Sequence, residues 1–303
     1  MWLVAALGVL RVGAAGWAAP GGAERQRVRL TLLNLVPSQG ALDGIRPSGT
    51  PVCFGPERLR RYLPEHAEAL AGLSCRQGAA ASFTDGKAPT RLVILDLTSV
   101  LNALAALQRI TPAPAKSVDV GRRGFRLGGV WAACRGCYLF RAAGPAAEAL
   151  VRGVDRSLAG VASQPTLLDV LPRSGLVKGS ERAYPDGIPG IESLGGAAGA
   201  SYQLWSKPVD LYLVEYPTRE AGAEAFARLK QESSPYRGTS RWVSIRGGEG
   251  FSVEWKGLGR TVAACAGKYV IVAAGNAEVT LLQQSVSSAV DSLVRQVGAE
   301  GMK

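Results

Sequence analysis

Cys134-Arg-Gly-Cys137 carries the Cys-x-x-Cys spacing of a thiol–disulfide oxidoreductase. In such enzymes the pair opens a helix, and the helix dipole lowers the pKa of the reactive thiol. Here Val-Trp-Ala-Ala precedes the pair and Tyr-Leu-Phe follows it, which reads as a strand or hairpin. Positions three apart on a strand point to opposite faces, so the two thiols would diverge. Cys134 would instead share a buried setting with Cys265. Cys53 and Cys75 are spaced to close a loop of about 20 residues, a bridge worth roughly 3 kcal/mol in an oxidising compartment. The other reading of that pair is two small buried apolar side chains. Five cysteines leave at least one thiol free or paired between chains.

Other chemistry has little to work with. His66 is the only histidine, and it lies in Pro64-Glu-His-Ala-Glu68, which reads as a solvated helix face. Any Ser-His-Asp or Cys-His site would need it, and no serine sits in a Gly-x-Ser-x-Gly elbow. One histidine and one Cys-x-x-Cys pair are too few for a closed zinc site, so no metal and no cofactor are expected. The glycine clusters Gly195-Gly196 and Gly247–Gly250 lack phosphate-loop context and read as turns. Asp96 and Glu215 end matching strands and would form an acid–base pair only if those strand ends met. Tyr202, Trp205, Tyr212, Tyr216 and Trp255 crowd one stretch, where they could line a ligand face or fill a sheet core.

The elements that must position these residues come in two sets. Thr31–Gly40 matches Thr166–Gly175 at five of ten positions, and Val130–Gly144 matches Thr261–Gly275 at eight of fifteen. The two pairs lie in the same order, offset by 135 and 131 residues, which is the pattern of an internal duplication. Each copy reads as a strand (Arg91–Leu97, Val209–Tyr216), a helix capped by Ser99 or Thr218, two strands, and a closing helix (Pro145–Leu158, Val279–Val297). The expected fold class is α+β: two tandem β-α-β-β-α units, antiparallel sheets with helices on one face. The copies span residues 27–160 and 161–300.

Residues 1–23 read as an export signal, an apolar stretch ending in small residues, although Arg11 interrupts it and no basic residue precedes it. The expected address is periplasmic or extracellular, or membrane-retained if the segment stays uncleaved. The net charge is +11 and the pI near 9.7. The basic residues are scattered, without the dense aromatic-laced stripe of a nucleic-acid reader. Anionic envelope components are the partners such a surface would attract; the sequence does not give an oligomeric state.

Leu35-Val-Pro37, Phe54–Leu59 and Ala67-Glu68 in the first copy form one set of loose motifs. Val170-Leu-Pro172, Tyr184-Pro185, Gly195–Ala198, Ala225-Phe226 and Trp255-Lys-Gly257 form the second. On these residues each copy resembles the exported bacterial domain-of-unknown-function family DUF6599. Gly199 stands where the family's acidic residue would be. The resemblance implies a fold and an exported address, and no reaction. The functional expectation is a non-catalytic binding or accessory protein of the cell envelope. The alternatives are a thiol-redox protein using Cys134 and Cys137, or a structural subunit of an envelope assembly.

Overall fold

The computed structural model describes residues 32–38, 40–86, 88–159, 166–191, 193–233, 240–246 and 248–298. The export segment expected at residues 1–23 lies outside them. The first half contains β1 (Arg46–Pro47), β2 (Val52–Phe54), α1 (Leu59–Tyr62), β3 (Gln77–Thr84), β4 (Pro89–Asp96), α2 (Val100–Ile110), β5 (Lys116–Val118), β6 (Arg123–Leu127), β7 (Val130–Arg135), β8 (Tyr138–Ala143) and α3 (Ala147–Leu158). The second contains α4 (Leu167–Val170), β9 (Arg182–Tyr184), β10 (Ala197–Leu204), β11 (Lys207–Glu215), α5 (Arg219–Glu232), β12 (Arg241–Ile245), β13 (Gly248–Trp255), β14 (Gly259–Ala266), β15 (Tyr269–Gly275) and α6 (Val279–Val297).

Two antiparallel sheets and their helices make this a mixed α+β protein. One sheet runs β1-β3-β4-β8-β7-β6-β5, with β2 also on β3; the other runs β9-β10-β11-β15-β14-β13-β12. The order β-α-β-β-α undercounts the strands. A hairpin, β3–β4 or β10–β11, precedes α2 or α5, and four strands separate that helix from α3 or α6. Among the missed strands, β3 and β10 begin Gln-Gly-Ala-Ala-Ala and Ala-Ala-Gly-Ala-Ser. Such small residues carry little β-propensity of their own, and tertiary pairing supplies it.

Helices cover both faces of each sheet, which corrects the one-faced expectation. On β4, Val93 and Leu95 pack with Leu104 and Leu107 of α2, while Leu92 and Ile94 pack on the opposite face with Leu150 and Val154 of α3. On β15, Val270 and Val272 face Ala225 and Leu229 of α5, while Ile271 and Ala273 face Leu282 and Val286 of α6. Strands apolar at both parities need cover on both sides. The α2 side of the first sheet and the α6 side of the second belong to one continuous apolar core. Ser99 and Thr218 each accept a hydrogen bond from the third residue on, Asn102 N at 3.1 Å and Ala221 N at 3.2 Å, and so start α2 and α5.

Candidate functional site

The seam between the halves is built by the last turn of α2 against β9. A three-residue edge strand leaves main-chain groups open for pairing. Gln108 closes that edge with its side-chain amide: Nε2 donates to Glu181 O at 3.3 Å, and Oε1 accepts from Ala183 N at 3.3 Å. Arg109 next to it donates to Ala69 O and Ala71 O and pairs with Asp186 at 2.9 Å. Arg123 on β6 reaches across to Glu181, donating to its carbonyl at 2.7 Å and pairing with its carboxylate at 2.8 Å. A further clamp joins Arg122 to Asp169 through two bonds of 2.7 and 2.8 Å.

Beside these contacts the halves leave a cavity of about 800 Å³, walled by α2, β6 and the segment leading into β9. Ligand sites favour such junctions. Its lining is cationic: Arg109, Arg123, Lys178 and Arg182 against the single carboxylate of Glu181. Glu181 is held by Arg123 and, more distantly, by Arg173. Lys178 and Arg182 are exposed and make no ion pair among the described residues. Sequence reasoning missed this site. Its residues come from segments about 60 to 75 positions apart, and no local pattern reports that pairing.

The cysteines lie elsewhere, and no disulfide joins any two of them. The expected Cys53–Cys75 bridge is corrected: Cys53 packs on the α3 side of the first sheet and Cys75 on the α2 side, so the sheet stands between them. Cys134 on β7 is 1% exposed, and burial pushes its thiol up to about 12. Cys137 occupies the two-residue turn to β8 after Gly136, whose φ of +55° suits such a turn. Burial and the carboxylate of Asp96 push the Cys137 thiol up to about 11. Cys265 takes the strand position matching Cys134, opposite Val270 where Cys134 is opposite Leu139. It is half-buried rather than buried, and burial raises its pKa. Reactive thiols need the opposite setting, electropositive and partly open.

Asp96 and Glu215 do not form one acid–base pair. Asp96 is buried, accepts from Thr98 N at 3.1 Å and lies 3.6 Å from Arg76. Glu215 meets Lys268 at 2.6 Å and accepts from the Tyr269 hydroxyl at 3.4 Å. Lys268 fills the turn position that Cys137 fills in the first half. His66 closes a one-turn 3-10 helix, Pro64–His66, but is half-buried rather than on a solvated face; burial first, then Arg141, lowers its pKa. Among the described residues no cluster of His, Cys, Asp or Glu is placed to hold a metal ion, and no helix is long and apolar enough to cross a membrane.

The five aromatics do not share one face. Tyr212 and Trp255 are buried on the α5 side, where Trp255 Nε1 donates to Gly190 O at 3.0 Å and Tyr216 packs alongside. Tyr202 is buried on the α6 side with its hydroxyl donating to Pro172 O at 2.9 Å, and Trp205 stands exposed in the β10–β11 turn. No protein-family model, curated protein or solved structure matches the chain, so the resemblance to DUF6599 rests on the motifs quoted above.

Proposed function

We propose that this is an exported, non-catalytic binding protein of the cell envelope, made of two diverged copies of one α+β unit, which takes an anionic ligand at the seam between them. The observation that carries the reading is the seam cavity of about 800 Å³ with four cations on its lining and one carboxylate, already engaged. Lys178 and Arg182 are the cations left for a ligand. The duplication is supported by the corresponding strand orders of the two sheets and by the matching turns at Gly136 and Gly267, both of positive φ. The raised thiols of Cys134 and Cys137 favour this reading over thiol-redox chemistry.

The test is calorimetric titration with tripolyphosphate and citrate at low salt, on the parent and on Lys178→Ala/Arg182→Ala. Losing two charge-assisted contacts should weaken binding by at least about tenfold, a little over 1 kcal/mol. Added salt should weaken the parent in the same direction. Equal affinity in the parent and the double variant would remove the seam as the site.

A further inference from the structure

A separate cavity of about 160 Å³ lies on the second half, between the β10–β11 hairpin and α6. Tyr202, Leu204 and Leu211 supply an apolar wall, and Gln284 and Ser288, one turn apart on α6, supply amide and hydroxyl groups. Trp205 stands at its edge, 85% exposed. No charged side chain lines it, in a chain of net charge +11.

The backbone under Trp205 is the second observation. Trp205 has φ +48° and Ser206 φ +65°, two consecutive left-handed residues in a two-residue turn. Asn-Gly suits such a turn, and a bulky aromatic rarely enters that region. The fold does not require the tryptophan: in the corresponding β3–β4 connection of the first half, the residue of positive φ is a glycine, Gly86 at φ +88°. An aromatic side chain is thus held out to solvent in a disfavoured backbone state, beside a cavity. Strain of this kind concentrates at ligand sites.

We infer that this groove binds a neutral saccharide, with the C–H face of one sugar ring on the Trp205 indole and its hydroxyls toward Gln284 and Ser288. An anionic ligand would find no cation there. A wholly apolar one would strip water from the Gln284 amide without replacing its hydrogen bonds. A pyranose has one apolar face and a rim of hydroxyls, and meets both walls. The site is independent of the seam.

The experiment is calorimetric titration with maltotetraose, cellotetraose and chitotetraose at millimolar concentrations. The proteins are the parent, Trp205→Ala, Trp205→Phe, Gln284→Ala and the seam variant Lys178→Ala/Arg182→Ala. At least one saccharide should bind the parent saturably, with little dependence on salt. Trp205→Ala should lower that affinity about tenfold or more, Trp205→Phe should retain most of it, and the seam variant should bind as the parent does. Absence of saturable binding by all three saccharides would overturn the inference. So would affinity unchanged by Trp205→Ala, or a dimer of this chain, seen by light scattering, that Trp205→Ala abolishes.

Discussion

At the scale of single residues, neighbours rather than spacing decide what the thiols can do. Cys134-x-x-Cys137 has the right interval for redox work. Yet one thiol is in the apolar layer under α2 and the other is beside the carboxylate of Asp96. Both surroundings favour the protonated form, which is not the nucleophile. Alkylation of the native protein at neutral pH should therefore be slow at Cys134 and Cys137, and Cys134 should label only as the protein unfolds. A Cys134→Ser variant should lose about 1–3 kcal/mol of stability, because a hydroxyl replaces a thiol in an apolar site. Peptide mass mapping against time reads the labelling. Rapid modification of native Cys134 would restore the redox reading.

At the scale of elements, α4 shows how one half fixes the other. Its opening is a capping box: Asp169 accepts from Thr166 N at 2.8 Å, and Arg122 of the first half holds the same carboxylate by two bonds. Burial alone would raise the Asp169 pKa, but the bonds from Arg122 and Thr166 outweigh it and hold it below the ordinary value. A depressed carboxylate stabilises the fold above the unfolded-state pKa, and that contribution is lost as pH falls through the folded-state value. Asp169→Asn should cost about 1–2 kcal/mol at neutral pH, from a weakened cap and a lost ion pair. Urea unfolding at neutral and acid pH should show the gap between parent and variant closing once the parent's carboxylate is protonated. A gap that persists unchanged in acid would mean the ion pair contributes nothing. The Ser99 and Thr218 caps were legible in the sequence because they are local patterns. The β3 and β10 strands were not, since their alanines and glycines specify no period. The cover on both faces was partly legible: Leu92-Val-Ile-Leu95 is apolar at every position, which a one-sided sheet would not need.

At the scale of the whole molecule, the two halves share a core as well as a linker. Leu104 of α2 and Leu282 and Val286 of α6 belong to the same buried cluster, and Gln108 closes the edge of a sheet that is not its own. Contacts of this kind join segments far apart in sequence, so neither the seam nor its cavity could be read from composition or spacing. They also make a mechanical claim. If the core is continuous, removing apolar volume on one side should weaken strands on the other. Leu104→Ala removes a side chain that is 1% exposed, and a buried leucine truncated to alanine costs about 2–5 kcal/mol. Hydrogen exchange read by mass spectrometry separates the two cases, because it reports opening free energies segment by segment. A shared core predicts that protection falls together in β4 and β8 of the first sheet and in β11 and β15 of the second. Loss confined to the first sheet would make the halves independent folding units, and the seam cavity a gap between two bodies free to move apart.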